Sequence, residues 1–243
     1  MIVCRTTACG TLVGTRSLAE LASWWRPTWP RFLRADPDRE RRRRIFAGIF
    51  QHNGWGDIES ASGPGSNVAR ASLFRADLEA LVRDLGVGTL LDAPCGDFNW
   101  LSTFDLPLER YTGVDIVPAL IARNRVAFGT RRRRFLLRDM VSDRLPRADL
   151  ILCRDGLVHL TNAEIAATLE NFRRTGAIWL LATTFVDRRE NQDIATGGWQ
   201  PLNLAAAPFC LPPPLRLIDE QCTGYGGAYR DKRLGLWRLT DMP

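Results

Sequence analysis

Short apolar runs alternate with amphipathic stretches along most of the chain, and their spacing predicts strands interleaved with helices. Thr89–Leu91 is a brief apolar run that ends on an acid, Asp92, and turns through Ala93-Pro94-Cys95-Gly96 toward Asp97. This reads as a buried parallel strand, a tight turn where the backbone approaches something closely, and then a helix. Upstream, Val68, Phe74, Leu78, Leu81, Val82 and Leu85 recur as one helical face, with Ser66 as N-cap and Gly86 as the stop. Downstream, Tyr111–Val114 ends on Asp115, and Pro118–Val126 reads as the next helix. Phe135–Leu137 closes on Asp139, and Ala148–Cys153 leads directly into Arg154-Asp155-Gly156-Leu157-Val158-His159. Thr161 and Glu164 form a capping box that opens a helix to about Phe172. Ala177–Thr184, Leu215–Asp219 and Gly235–Leu239 supply the remaining strands. Seven strands in this arrangement predict an α/β fold with a doubly wound, mostly parallel sheet.

Three stretches depart from that rhythm. Residues 1–44 form an N-terminal extension in which Trp24, Trp25 and Trp29 sit beside prolines and scattered arginines. The run Arg41–Arg44 reads as the solvated first turns of a helix continuing into Ile45–Phe50. Residues 45–66 are dense in glycine and serine, with Trp55 and Glu59 among them, and read as a lid over whatever the first strand tip binds. Residues 187–214 are a long polar insertion carrying Asn191, Asp193 and Trp199; such loops in a compact domain are commonly functional. An aromatic face plus amides suits a polyhydroxylated acceptor. The domain proper is then 45–243.

Composition narrows the classes. The chain has 243 residues with a formal charge of +6, and Lys232 is its only lysine. Apolar residues make up 45% and charged residues 25%, ordinary for a globular protein. No apolar run approaches the roughly 18 residues of a membrane span. Six cysteines stand at unrelated spacings with no Cys-x-x-Cys pair, which argues against zinc or a disulfide framework and for a reducing, cytoplasmic setting. The block Arg131–Arg134 at a helix-to-strand corner reads as solvated, and a nucleic-acid partner is not expected. The oligomeric state is left open.

The chemistry sits at the strand tips. Asp115 follows the glycine turn by about twenty residues, where an acid accepts hydrogen bonds from a ribose. The turn has only Gly96, flanked by Asp92 and Asp97, and lacks the Gly-x-Gly-x-x-Gly of a dinucleotide site. Acids line a phosphate poorly and a sulfonium or ammonium well. At this point the sequence resembles the class I S-adenosylmethionine-dependent methyltransferases. The pieces Trp-Gly…Ser-Gly-x-Gly-Ser, Cys-Gly-Asp-x-Asn-Trp, Cys-Arg-Asp-x-Leu-Val-His-Leu and Thr-Gly-x-Trp-x-Pro-Leu-Asn-Leu are similar to a poorly characterised bacterial group within them. The resemblance implies a Rossmann-like methyltransferase fold and S-adenosyl-L-methionine as cofactor. It implies cofactor contacts at Asp92, Pro94, Cys95, Gly96, Asp97, Asp115, Ile116, Asp139, Met140 and Arg154, with Asp139 on the adenine amino group.

His159 follows the fourth strand, at the edge expected to face the transferable methyl, with Asp155 four residues earlier. Were that segment helical, the two side chains would share a face, so that Asp155 orients the imidazole or both hold a cation. The spacing is similar to the Glu-x-x-Glu-His segment of quinone-ring O-methyltransferases, which binds magnesium, but Val158 replaces the middle acid. The reading is O-methylation of a sugar or similar small polar hydroxyl, with His159 as base or metal ligand. Trp55, Glu59, Asn191, Asp193 and Trp199 are the expected acceptor contacts. The alternatives are N-methylation of a small molecule or RNA, or cofactor binding without catalysis. Arg154-Asp155-Gly156-Leu157 is not the Asn/Asp-Pro-Pro-Tyr expected of nucleic-acid amino-methyltransferases.

Overall fold

The computed structural model describes residues 36–242, so the expected extension over residues 1–44, its tryptophans included, lies outside the described residues up to residue 35. The first element is helix α1 (Pro37–Gln51), opened by Asp36, whose side chain accepts from Asp38 N, and by Pro37 in its first turn. It runs unbroken through the boundary expected at residue 44. The compact unit that holds the described residues begins at Asp36.

The helical face expected over 68–85 divides into α2 (Val68–Ser72) and α3 (Arg75–Asp84), and the first N-cap is Asn67, not Ser66. The break buries Phe74 completely, edge-on to Trp100 with ring centroids 5.5 Å apart. Seven strands follow: β1 (Thr89–Asp92), β2 (Arg110–Asp115), β3 (Arg133–Leu137), β4 (Leu150–Cys153), β5 (Trp179–Phe185), β6 (Arg216–Asp219) and β7 (Lys232–Arg238). They form one sheet in the order β3-β2-β1-β4-β5-β7-β6. The first five strands pair in parallel, and β7 lies antiparallel to both β5 and β6.

Register places the apolar rows on opposite faces. Leu91, Ile151 and Leu180 align and enter the core beneath α5 (Asn162–Arg174). Their neighbours Leu90 and Leu150 enter the other layer with Leu78, Leu81 and Phe74. The capping box on α5 forms as expected: Thr161 Oγ1 accepts from Glu164 N at 3.1 Å, and Glu164 Oε2 accepts from Thr161 N at 3.1 Å.

The helix expected after the Gly96 turn does not form; the chain makes only a 3₁₀ turn at Leu101–Thr103 before β2. Asp97 Oδ1 accepts from Asn99 N at 3.2 Å, an Asx turn. Phe98 then takes a left-handed φ of 58° and packs among Tyr111, Phe128 and Phe135. Aromatic side chains from this irregular segment cover the flank that a helix covers elsewhere. Between β2 and β3, α4 (Pro118–Phe128) forms as expected.

Candidate active site

The carboxyl ends of β1, β2, β3 and β4 surround an open cleft of about 1000 Å³, open solvent included. Asp92, Pro94, Cys95 and Gly96 form its floor with Asp115 and Ile116 beside them, as the spacing along β1 and β2 anticipates. The glycine turn is tied on both sides. Cys95 N donates to Val114 O at 2.8 Å, and Asn124 Nδ2 on α4 donates to Gly96 O at 2.8 Å. Gly96 has φ 52° and donates its N–H to Asp115 Oδ2 at 3.2 Å. A Cβ on Gly96 would overlap Ser62 Oγ, so this position admits only glycine while the 60–66 loop lies over it.

Two carboxyl groups on this floor are buried with few counter-charges. Burial pushes Asp92 up to about 7, against the hydrogen bond it accepts from Tyr111 Oη at 2.6 Å. Burial also raises Asp115 to about 6, opposed by the N–H groups of Val117 and Gly96. Asp97 is not on the floor. Its Oδ2 accepts from Ser60 Oγ and Ala61 N at 2.9 Å each, and its N–H donates to Ser62 Oγ at 2.8 Å. It buttons the loop over the turn.

The adenine role expected of Asp139 meets a competitor. Asp139 and Met140 line the cleft, but Asp139 Oδ2 accepts from Arg42 at 2.7 and 2.9 Å and from Ser142 Oγ at 3.0 Å. Its Oδ1 accepts from Val141 N at 3.0 Å, which leaves little capacity for another donor. Arg42 is 3% exposed and lines the cleft with Phe46 and Phe50 from the same helix. Within the arginine run Arg42 is thus an anchor, whereas Arg43 and Arg44 reach only Glu40 on the same helix and stay on its solvent side. Arg39 grips Asp143, Arg41 and Arg42 reach Glu164, and Arg42 also reaches Asp36.

Beyond the tip of β4, Arg154, Asp155, His159 and Trp55 line the cleft together. Arg154 is held by Glu220 and by Gly65 O, and its guanidinium lies 4.9 Å from the Phe74 ring centroid. The Asp155–His159 pair expected from a helical segment does not form. Asp155 has φ 54°, and only Leu157–His159 makes a 3₁₀ turn. Its Oδ2 accepts from Lys232 Nζ at 2.7 Å, and its Oδ1 accepts from Thr183 Oγ1 at 3.3 Å. Burial would raise the Asp155 carboxyl, but the Lys232 ammonium with Arg154 holds it well below the usual carboxylate range. His159 takes a different partner: its Nδ1 lies 2.7 Å from Gly198 O, and its ring stacks on Trp55 at 4.1 Å. Burial lowers the imidazole from its ordinary value, with the Gly198 carbonyl and Asp155 opposing.

The same contacts give no support to the magnesium site considered at Asp155 and His159. Lys232 already supplies the cation there, and among the described residues no group of three or more His, Cys, Asp or Glu is placed to hold a metal.

Four expected acceptor contacts lie outside the cleft wall. Glu59 accepts from Val68 N and from Asn99 Nδ2, both at 2.7 Å, and fixes the start of α2. Asn191 Nδ2 staples its own loop through Asn203 O and Ala207 O, both at 2.8 Å. Asp193 Oδ1 accepts from Asn162 N at 2.8 Å, at the start of α5. Trp199 is 41% exposed and packs edge-on to Tyr229 at 4.9 Å. The 187–214 insertion thus reaches the site through its backbone: Gly197 N donates to His159 O at 2.8 Å, and Gly198 O receives the imidazole. Sequence reasoning misses Arg42, Gly198 and Lys232, and reads Ser62 only as part of the 45–66 lid. Of the three, only Lys232 carries a signal, as the single lysine of an arginine-rich chain.

No protein-family model matches the chain, and no curated protein matches it. Solved structures do. The 1,6-didemethyltoxoflavin-N1-methyltransferase of Burkholderia thailandensis, solved with 1,6-didemethyltoxoflavin and S-adenosylhomocysteine, is 19% identical. That similarity covers 87% of this chain and 92% of that one, with a TM-score of 0.58. The N-methyltransferase NodS of Bradyrhizobium japonicum is 15% identical over 68% of this chain and 96% of its own, with a TM-score of 0.48. The methyltransferase domain of a bacterial CtHen1 is 20% identical over 49% of this chain, at a TM-score of 0.42; the chain spans 66% of its length. Strand order, the acid at the tip of β2 and the agreement along 87% of the chain lead to one conclusion. The chain has the Rossmann-like fold of the class I S-adenosylmethionine-dependent methyltransferases.

Proposed function

We propose that the protein transfers a methyl group from S-adenosylmethionine to a hydroxyl of a small polar acceptor, a sugar or related metabolite, with His159 as the base. The observation that carries this reading is the hydrogen bond from His159 Nδ1 to Gly198 O at 2.7 Å. A carbonyl oxygen only accepts, so Nδ1 carries the proton and the neutral ring keeps its lone pair on Nε2. Burial favours that neutral form near pH 7.

The cofactor fits the floor of the cleft. Asp92 and Asp115 are buried carboxyls raised by desolvation, and a ligand bearing a sulfonium and an ammonium favours their charged forms. We assign the ribose hydroxyls to Asp115, the acid at the tip of β2 that lines the cleft beside Gly96. When bound, S-adenosylmethionine supplies a methyl group on a positively charged sulfur, open to in-line attack. The chain's own part is alignment and proton removal. His159 Nε2 would take the hydroxyl proton as the oxygen–methyl bond forms and the methyl–sulfur bond breaks, leaving the sulfur neutral, and the ring would return that proton to water afterwards. A base positioned in this way typically contributes about 10²–10⁴ in rate. Trp55 covers one side of the imidazole and offers a ring face to the acceptor. The Asn191 side chain is given no part in this reading, because it holds its own loop.

The test uses a labelled methyl donor with a panel of hydroxyl and amine acceptors, comparing the parent with His159→Ala. The expected result is a loss of about 10²–10⁴ in rate on the hydroxyl acceptor, with affinity for S-adenosylhomocysteine retained. A chelator leaves the parent rate unchanged, since Lys232 fills the place a metal would take. Parent-like turnover by His159→Ala on an amine acceptor replaces this reading with N-methylation, in which the neutral amine attacks unaided. Cofactor binding without turnover of any acceptor returns the fold to a regulatory role.

A further inference from the structure

Lys232 stands at the start of β7, 8% exposed, among basic residues that are otherwise all arginine. Its Nζ lies 2.7 Å from Asp155 Oδ2 and 3.3 Å from Glu220 Oε2. Arg154 joins the same group, with Nε 2.9 Å from Glu220 Oε2 and Nη1 3.8 Å from Asp155 Oδ2. Two cations and two carboxylates therefore cancel beneath the 60–66 loop. A lysine suits this corner because a compact ammonium can rest on two carboxylates at once, whereas a planar guanidinium needs a fork of fixed geometry. Glu220 Oε1 has no hydrogen-bond partner, so the group is held by charge more than by a complete hydrogen-bond network.

His159 lies just outside the group. Its ring is bonded to Gly198 O and stacked on Trp55, and no hydrogen bond joins it to Asp155. The charged groups acting on it are Asp155, at the end of β4, and Lys232, on β7; they act in opposite senses. An unshielded carboxylate here would stabilise the doubly protonated imidazole, and such a ring accepts no proton.

Building on the reading of His159 as the base, we propose that Lys232 is its positioning residue: by holding Asp155 in an ion pair, it keeps that carboxylate from the imidazole. The ring is then oriented by the Gly198 carbonyl alone, with its lone pair on Nε2. Asp155 accordingly serves as the counter-charge of Lys232 and not as the orienting partner of the base.

Nitrogen-15 NMR of the histidine-labelled full chain tests this without any acceptor. The chain has two histidines, and exposed His52 at the end of α1 serves as internal control. In the parent, His159 should show the Nδ1–H tautomer. In Lys232→Met its titration midpoint should rise by about 1 pH unit or more while His52 stays put. Lys232→Arg should restore much of the parent value, and the Asp155→Asn, Lys232→Met double variant should cancel the rise. An unchanged midpoint in folded Lys232→Met overturns the proposal, as does a rise that persists in the double variant. Should Lys232→Met not fold, Asp155→Asn carries the test. The parent tautomer with a lower midpoint supports the proposal; a switch to Nε2–H, or a midpoint not lowered, overturns it. These readings are independent of turnover, so full activity in His159→Ala would remove the base role while leaving this coupling to stand or fall separately.

Discussion

Gly96 and Gly48 show how differently two glycines constrain the chain. Gly96 combines a positive φ with a Cβ position already occupied by Ser62 Oγ, whereas a Cβ on Gly48, within α1, would meet nothing within 4 Å. Gly96→Ala should therefore cost about 1–2 kcal/mol of stability from the backbone alone. It should also weaken S-adenosylhomocysteine binding at least tenfold in calorimetry, since Ser62 must move. Gly48→Ala should raise stability by about 0.4–1 kcal/mol in denaturant titration and leave binding untouched. At this scale the floor of the cleft is legible where its parts are close along the chain: Asp92, Gly96 and Asp115 are read from strand ends and spacing. Asp139 reads less well because its partner, Arg42, is 97 positions away and resembles any surface arginine in a charge run. The Asp155–His159 pairing fails for a related reason. Four-residue spacing brings side chains together only on a helix, and φ 54° at Asp155 breaks that geometry.

Helix α1 is held to the rest of its unit by arginines of very different worth. Arg42 is buried against Asp139, while the Arg39–Asp143 pair is partly open to solvent. Removing one member of a buried pair strands the other charge, so Arg42→Met should lower stability by about 3–5 kcal/mol. Arg39→Ala should cost about 1 kcal/mol or less. Urea unfolding separates the two outcomes, and equal costs would mean that Asp139 finds another partner. Elements whose apolar face is continuous, such as α5 and the central strands, are readable from periodicity. The missing helix after Gly96 is not, because its replacement depends on Phe98 finding Tyr111, Phe128 and Phe135 from three later segments. In the long insertion the Asn191 and Asn203 side chains resemble ligand contacts in the sequence, yet in the structure they bond the insertion's own backbone.

Across the whole molecule the two raised acids make stability respond to pH and, under the proposed function, cofactor binding as well. Asp92 and Asp115 have folded values of about 7 and about 6, above the ordinary 3.8, so the folded protein holds these protons more tightly than the unfolded chain. Their contribution to stability is fully present below about pH 4 and is lost as pH rises through 6 to 7. His159, lowered by burial, works in the opposite sense up to about pH 7. A cationic ligand favours the ionised acids, so the gain in melting temperature on adding S-adenosylmethionine should grow from pH 5 to pH 8. Uncharged-sulfur S-adenosylhomocysteine should show a shallower rise, and Asp92→Asn should flatten both. A gain independent of pH in the parent would show that neither acid senses the ligand. The buried ion-pair group has a practical consequence as well. With Lys232 as the only side-chain amine, an acylating reagent that ignores guanidinium has one internal target, and that target is enclosed. The pace of its acylation, followed by intact mass, becomes a clock for how often the reactive corner of the cleft breathes open.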